Sequence, residues 1–446
     1  MFTGKKMLIL GMARSGYEVA KILKKRNNDL IINDMKKEQD PAHVKELEDL
    51  GIEVVLGSHP DNLLDSSVDY LIKNPGVPID HKYVLKAKEL GIPVINEAEI
   101  ASLIFPEVHL IGITGTNGKT TTTTLIYEIL KAKYKERVHL AGNIGYPVIA
   151  LLPELKENDY VVMEVSVQQL ENFDKFHPEV AVLTNIDEAH IDFMKTYEHY
   201  KENKKKIFKN MKSDELAVIN LDNKEAFDLT KDIKPKKAYF SKRDKKATCF
   251  IQEDDIYYEK ERIMDVDEMI LKGYHNFENV MGAIIVAKHY GVETDIIRNV
   301  LKSFKGVEHR LEYVKEIEGV KFYNDSKATN IKSTQIALNT FNSPTILLLG
   351  GMERGQRFED LKPYLKATKI IIGMAATRER IKKIFKDKEV YTYEWLKDAF
   401  KKAWDLSERG DIILLSPASA SWGQYEKFED RGDEFKKLVE GIDKKC

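Results

Sequence analysis

The stretch from Leu110 to Thr124, LIGITGTNGKTTTTT, constrains this chain more than any other. An apolar run ends at a glycine turn, a lysine and a row of threonines follow, and a helix-like segment covers Leu125–Lys131. Strand, glycine loop, Lys-Thr and helix in that order build a phosphate cradle. Backbone N–H groups at the helix start point at the anion, and the lysine adds a mobile positive charge. Thr120, directly after Lys119, is placed to hold Mg²⁺, so a nucleoside triphosphate is the expected ligand. The common motif carries a further glycine where Ile113 stands. A turn that merely caps a helix is the bland alternative. β-Branched Thr is a modest helix former, so a row of them at a helix start points to another use.

At 446 residues the chain is too long for one ordinary domain, and two or three of about 150 residues are expected. A net charge of -2 gives no pull toward nucleic acid or a membrane surface. No apolar run reaches the roughly 18 residues of a membrane span, and the start, Met1-Phe-Thr-Gly-Lys-Lys-Met7, runs into a strand rather than a signal peptide. Cys249 and Cys446 are the only cysteines, so no disulfide framework or cysteine metal site is expected and a reducing cytoplasm fits.

Strands alternate with helices almost throughout, the pattern of α/β sheets. Three domains are expected: a Rossmann-like one over 1–100, a central phosphate-loop ATPase-like α/β one over 101–306, and a second Rossmann-like one over 307–446. The first opens with a strand at Met7–Leu10, the turn Gly11-Met12-Ala13-Arg14-Ser15-Gly16, a helix over Tyr17–Lys25, and a strand at Leu30–Asn33 followed by Asp34. This is a dinucleotide-fold beginning with Ala13 in place of the middle glycine, and Asp34 sits where an acid commonly meets a ribose. The other reading of Gly11 and Gly16 is close helix–strand packing alone. In the central domain the pattern predicts strands at Tyr160–Val165, Val180–Thr184 and Glu215–Asn220, a small β insert over Ser241–Glu268, and a helix over His275–Tyr290. The last domain shows strands at Val320–Tyr323, Thr345–Leu349, Lys369–Ile372 and Ile412–Leu415, with a helix over Glu394–Arg409.

Polar residues gather where these strands end, the place where open α/β sheets bind ligands. Glu164 closes an apolar strand, where a phosphate-loop enzyme keeps a Mg²⁺-holding acid. His190 follows the next strand and is a candidate ligand or metal group. A polar helix over Tyr197–Met211 carries Lys201, Lys204, Lys205, Lys206 and Lys209; periodicity does not choose among them, and a solvated cationic face is the simple reading. Three polar loops, Asp325–Asn330, Gly350–Gly355 and Ser416–Ser421, follow three strands of the last domain. Ordinary turn chemistry explains one such loop more easily than three.

Taken together, Gly115-Thr-Asn-Gly-Lys-Thr-Thr121, Glu164, Asn185…His190, Gly273-Tyr-His-Asn-Phe-Glu-Asn279, His309-Arg310 and Asn324-Asp-Ser-Lys-Ala-Thr-Asn330 resemble the Mur ligase family over essentially the whole chain. These are ATP-dependent amide-forming enzymes of peptidoglycan precursor synthesis. Gly11–Gly16, Asn74-Pro-Gly76 and Phe428-Glu-Asp-Arg-Gly-Asp-Glu-Phe435 are similar to the members that add D-glutamate to UDP-N-acetylmuramoyl-L-alanine. The resemblance implies that Gly115, Thr116, Asn117, Gly118, Lys119, Thr120 and Thr121 hold the ATP phosphates, with Asn276, Asn279, Arg310 and Asp325 completing the ATP site. It gives Gly11, Met12, Ala13, Arg14, Asp34, Gly76, Asn143 and Gln169 to the UDP substrate, and Thr329, Arg354, Ser421 and Phe428 to D-glutamate. Thr120, Glu164, His190 and Lys204 would serve two Mg²⁺ ions, Lys204 as a carbamate formed with CO₂ and chosen by its match to the family's Tyr-x-x-x-Lys spacing from Tyr200. Lys119, His190 and Lys204 are then the catalytic candidates, in a monomer that takes small-molecule substrates and neither binds nucleic acid nor spans a membrane. Where the family has Ser-Ser-Phe-Gln-Leu, this chain has Ser166-Val-Gln-Gln-Leu170, so one serine contact is missing. Arg354 replaces a lysine found in some members, and arginine can still clamp a carboxylate. The alternatives are another amide ligase of the family, such as a folylpolyglutamate synthase, or an ATPase that only hydrolyses.

Overall fold

A computed structural model describes residues 2–144, 147–187, 194–271 and 273–442. The chain divides into two compact units, Met1–Val266 with Phe277–Val300, and Asp267–Asn276 with Leu301–Cys446.

The first unit contains two sheets. One is five-stranded and wholly parallel, in the order Glu53–Leu56, Asp29–Asp34, Lys6–Leu10, Tyr70–Lys73, Val94–Ile95. The order reverses between Lys6–Leu10 and Tyr70–Lys73, which opens a crevice at their carboxyl ends. The other sheet has nine strands. Val138–Gly142, Tyr160–Glu164, His109–Thr114, Val180–Leu183, Leu216–Asn220, Lys236–Ser241 and Cys249–Gln252 run parallel. Asp255–Tyr258 and Glu261–Asp265 then turn back antiparallel, forming the expected β insert.

A short helix, Glu97–Ile104, fastens the two sheets together. Its cap residue Asn96 accepts from Glu99 N–H at 3.0 Å and donates to the Gln169 carbonyl at 2.7 Å. Glu97 accepts from Ile149 N–H at 2.6 Å. Glu99 takes the N–H groups of Asp174, Lys175 and Phe176 at 3.1, 2.6 and 3.1 Å. Burial pushes the Glu97 carboxyl up to about 7, opposed by the backbone N–H groups of Ile149 and Val148. Ile9, Ile32 and Ile95 therefore share one apolar core with Ile149, Val161 and Leu183.

The second unit carries a six-stranded sheet in the order Glu312–Ile317, Val320–Asn324, Ile412–Leu415, Thr345–Gly350, Thr368–Met374, Glu389–Tyr393, with only the first strand antiparallel. Thr345–Gly350 is buried along its whole length: Ile346 and Leu348 enter one core, Leu347 and Leu349 the other.

Helix limits differ from the sequence reading in informative ways. The helix after the phosphate loop is Lys119–Tyr134, so the threonines form its first turns instead of preceding it. Thr123 and Thr124 hydroxyls donate back to the carbonyls of Lys119 and Thr120, each at 2.8 Å, which satisfies buried polar atoms inside the helix. The lysine-rich helix is α-helical only over Tyr197–Lys205, then tightens to a 3₁₀ turn at Lys206–Phe208 as Ile207 and Phe208 enter the core. The Glu394–Arg409 helix shortens to Leu396–Leu406, where the Ser407 hydroxyl takes up the Trp404 carbonyl.

Candidate active site

The phosphate loop is held open from behind. Thr116 N–H donates to the Asn185 carbonyl at 2.9 Å, and Asn117 N–H to Asn185 Oδ1 at 2.8 Å. The Thr184 hydroxyl donates to the Asn117 carbonyl at 2.6 Å, and Asn117 Nδ2 reaches Asp187 Oδ2 at 3.1 Å. Thr116 Oγ1 lies 2.7 Å from the Tyr200 hydroxyl. Gly118 sits at φ +79°, and a Cβ there would come within 2.2 Å of Asn279 Oδ1; the position needs glycine both for its backbone and for space. Asn279 in turn accepts from the Thr122 hydroxyl at 3.2 Å. The Lys119–Tyr134 helix has no side-chain cap at its start, so its first amides keep the anion-facing character that the sequence implied.

Two lysine amines converge on this loop. Lys119 Nζ curls back to the Gly115 and Thr116 carbonyls at 2.9 and 3.0 Å. Lys204 Nζ donates to the Gly115 carbonyl at 2.7 Å and to Thr114 Oγ1 at 3.0 Å. Of the helix lysines, Lys204 alone is fully buried, while Lys201, Lys205 and Lys209 pair with Glu198 and Glu225, with Asp232 and with Asp174. Burial thus distinguishes Lys204 from the other lysines of the helix, which periodicity does not. Burial, reinforced by the charge of Lys119 and opposed by Glu164, holds the Lys204 amine well below the usual lysine range.

Glu164, 2 % exposed at its strand end, accepts from Asn143 Nδ2 at 3.0 Å through Oε1. Its Oε2 is buried with no hydrogen-bond partner among the described residues. An orphaned carboxylate oxygen of this kind fits a cation ligand, because burying it unpaired costs free energy. Thr120 lies buried on the first turn of the neighbouring helix. His190 lies outside the described residues.

A cavity of about 340 Å³ joins these groups to the first sheet. Pro75, Gly76, Lys119, Asn143, Ser166, Val167, Gln168 and Lys204 line it. Gln169, assigned to the substrate by resemblance, has its side chain in a helix cap: Oε1 accepts from Ser166 N–H at 2.9 Å and from the Ser166 hydroxyl at 3.0 Å. Gln168, a position that the sequence reading left without a role, faces the cavity instead.

At the first glycine turn, Gly11 N–H donates to the Asn33 carbonyl at 2.8 Å, and Met12 N–H to Asp34 Oδ2 at 2.7 Å. Ala13 and Arg14 are exposed beside the start of the Arg14–Lys24 helix, which has no side-chain cap. Asn74 binds this turn to the Gly76 loop, donating to Ser15 Oγ at 3.0 Å and accepting from Gly76 N–H at 3.1 Å.

In the second unit, Asp325 accepts from the Ser416 hydroxyl at 2.7 Å and from Leu311 N–H at 3.1 Å. Burial pushes its carboxyl up to about 7, against the Ser416 bond and the charge of Arg310. Arg310 donates its N–H to the Val307 carbonyl at 2.9 Å, and the buried Asn276 donates its own to Gly273 at 2.8 Å. Arg431 gathers the loops of this unit: Nε reaches Ser326 Oγ at 3.0 Å, and Nη2 reaches the Ser326 and Ser419 carbonyls at 2.9 and 3.1 Å. The Phe428 carbonyl accepts from Ser326 Oγ at 2.7 Å. Buried Ser421 lines a small cavity with Gly351, Trp422 and Arg431, and the exposed Arg354 guanidinium lies 5.1 Å from the Trp422 ring. Thr329, half-buried, donates its N–H to the Lys327 carbonyl at 2.9 Å. Arg431 and Asn185 are the organisers that sequence reasoning passed over. Both stood inside quoted motifs, yet nothing in the motifs separates an organiser from a ligand.

A braced phosphate loop beside a buried carboxylate and a buried amine belongs to an enzyme that works on a nucleoside triphosphate. Family profiles match three segments: "Mur ligase MurD-like, N-terminal domain" over residues 5–96, "Mur ligase middle domain" over 113–287, and "Mur ligase, glutamate ligase domain" over 309–419. UDP-N-acetylmuramoylalanine–D-glutamate ligase of Geobacillus kaustophilus is 43% identical over 97% of this chain and 96% of its own. The enzyme of that name from Enterococcus hirae is 44% identical over 98% and 96%. Among solved structures, MurF from Acinetobacter baumannii covers 98% of this chain and 91% of its own at 15% identity and a TM-score of 0.59. MurC from Thermotoga maritima covers 98% and 99% at 17% identity and a TM-score of 0.57. The chain belongs to the Mur ligase family and is an ATP-dependent ligase. No helix among the described residues is long and apolar enough to cross a membrane.

Proposed function

We propose that the chain joins D-glutamate to UDP-N-acetylmuramoyl-L-alanine through an acyl phosphate, as a cytoplasmic monomer supplying peptidoglycan precursors. The substrate assignment is supported by relatives of that name at 43% and 44% identity over nearly the full chain. The observation that carries the chemistry is the cavity in which Lys119 and Lys204 face the Gly76 loop. The γ-phosphoryl of ATP passes to the terminal carboxylate of the UDP substrate. The amine of D-glutamate then attacks the acyl carbon, and phosphate leaves. Lys119 and the helix amides neutralise the transferred phosphoryl. Asn276, Asn279, Arg310 and Asp325 complete the ATP site. Gly11 to Arg14, Asp34, Gly76, Asn143 and Gln169 serve the UDP substrate, Gln169 by shaping the turn that presents Gln168. Thr329, Arg354, Ser421 and Phe428 receive D-glutamate.

The depressed basicity of Lys204 leaves a neutral amine to attack CO₂; an N–C bond forms as one C=O π pair moves onto oxygen, the nitrogen loses a proton, and the buried neutral amine becomes an anionic carbamate. Thr120, Glu164, His190 and that carbamate would hold two Mg²⁺ ions, which when bound supply charge neutralisation for phosphoryl transfer. The test is phosphate release from ATP in the presence of UDP-N-acetylmuramoyl-L-alanine, scanning D-glutamate, L-alanine, L-lysine and diaminopimelate. Release with D-glutamate alone is expected; equal release with all four, or release with none present, would overturn the assignment.

A further inference from the structure

Two polar loops of the second unit, Gly350–Gly355 and Ser416–Ser421, follow neighbouring parallel strands, Thr345–Gly350 and Ile412–Leu415. Hydrogen bonds hold them side by side. Gly350 N–H donates to the Pro417 carbonyl and Met352 N–H to the Ala420 carbonyl, each at 2.9 Å, and Gln356 Nε2 donates to Ser419 Oγ at 2.7 Å. Gln356 also fixes the tip of the first loop, accepting from Arg354 N–H at 2.8 Å and donating to the Met352 carbonyl at 2.8 Å. The charges around this tip are treated differently. Glu353 is taken by Arg380 at 2.9 Å and by Gly355 N–H at 2.8 Å, and Arg357 pairs with Asp360 at 3.4 Å. Arg354 pairs with no carboxylate among the described residues; its guanidinium carbon lies 5.1 Å from the centre of the Trp422 ring. Trp422, next to buried Ser421, is itself 52% exposed. The contact therefore runs from one loop to the other across their exposed side.

We propose that Trp422 is a positioning residue for the amino-acid substrate: its indole holds the Arg354 guanidinium beside Ser421 and leaves the N–H donors of that cation uncommitted. A carboxylate partner would consume the charge and the donors that a ligand carboxylate needs. A ring face attracts the charge alone, so the planar fork remains able to grip a carboxylate through two hydrogen bonds. An exposed arginine otherwise surrenders rotamer freedom when it binds, and the ring removes part of that freedom in advance. The inference rests on the proposed reading that Arg354 and Ser421 receive D-glutamate.

The test uses the full chain and measures initial rates of ligation against D-glutamate at saturating ATP and UDP-N-acetylmuramoyl-L-alanine. Trp422→Leu is expected to raise KM for D-glutamate roughly two- to fivefold, the size of an exposed cation–ring contact, with kcat kept within about twofold and KM for the other two substrates unchanged. Trp422→Phe, which retains a ring face, should recover most of that loss, and Trp422→Gln, which has none, should not. Arg354→Met should lower kcat/KM for D-glutamate at least about tenfold, the scale of a lost hydrogen bond to a charged group. Adding Trp422→Leu to it should cost nothing further, because the indole acts through the guanidinium. Thermal unfolding identifies any variant that fails to fold; should Trp422→Leu do so, the Trp422→Phe and Trp422→Gln pair still decides. A parental KM in Trp422→Leu would overturn the proposal. So would the same loss from Trp422→Leu with Arg354→Met as without it, since the indole would then meet the amino acid directly. Parental kcat/KM in Arg354→Met would instead overturn the assignment of Arg354 to D-glutamate.

Discussion

The first unit contains two glycine turns built on the same plan, to which the proposed function gives different uses. At Gly11–Gly16 a strand passes into a helix with exposed starting residues, and the nearest acid, Asp34, is spent on Met12 and Lys36 N–H groups. At Gly115–Lys119 the same strand–turn–helix plan is surrounded by Lys119, Lys204 and Glu164, all buried or partly buried. Backbone amides are enough to receive an anion that only has to stay in place. A phosphoryl group in transit develops charge that amides do not neutralise alone, and there the fold brings in ionisable groups whose water has been removed. The glycines differ in the same sense. A Cβ at Gly16 would come within 1.9 Å of the Gly11 carbonyl oxygen, a conflict within the turn itself. A Cβ at Gly118 would meet Asn279, a residue assigned to ATP.

The largest expected effect that separates the turns is at Lys204. Lys204→Ala should lower kcat by about 10³-fold or more while leaving calorimetric binding of the UDP substrate within about threefold, and a short-chain carboxylate should restore part of the rate. Wild-type turnover in this variant would erase the difference in use. Lys119→Ala should be comparably slow and should not respond to added carboxylate, which distinguishes a phosphate cation from a carbamate site.

Gly118→Ala is expected next, with ATP affinity falling roughly 5- to 150-fold, the equivalent of about 1–3 kcal/mol of backbone strain. Gly16→Ala should instead lower the melting temperature, since about 1–3 kcal/mol of overpacking falls on the fold, with ATP affinity kept. Equal behaviour of the two alanine variants in a paired melting and nucleotide-binding experiment would contradict their assignment to different tasks. Asp34→Ala should raise KM for the UDP substrate about tenfold, the scale of a lost charge-assisted hydrogen bond, without changing KM for ATP.

The smallest expected effect is on pH dependence. The Lys204 pKa is depressed, so its proton-free form, the one that would take up CO₂ under the proposed carbamylation, is lost as pH falls through that lowered value. Added bicarbonate should therefore stimulate ligation more on the acidic side of the profile than on the alkaline side, by a few-fold. An ordinary, exposed lysine would require the opposite, with little free amine at neutral pH; stimulation confined to strongly alkaline pH would show that burial does not govern this amine.

Much of the fold was legible beforehand because strand and helix periods are local properties. The strands at Tyr160, Val180, Leu216, Thr345 and Ile412 stand within a residue or so of where alternation and apolar runs put them. Helix ends were less legible. The Lys119 helix begins where five consecutive threonines argue against a helix, because their hydroxyls find carbonyls one turn back. The lysine-rich helix changes its winding at Lys206 because two large apolar side chains must enter the core.

The sequence by itself determined the phosphate loop, the strand-end acid Glu164, the α/β alternation and the likeness to one family, since each is written in neighbouring residues. Only the tertiary structure decided which lysine of five is buried, that Gln169 caps a helix while Gln168 faces the cavity, and that Arg431 ties the Ser326 loop to the Ser419 loop. Those outcomes depend on burial and on partners tens of residues away. A side chain's desolvation is set by what packs over it, and no local spacing records that.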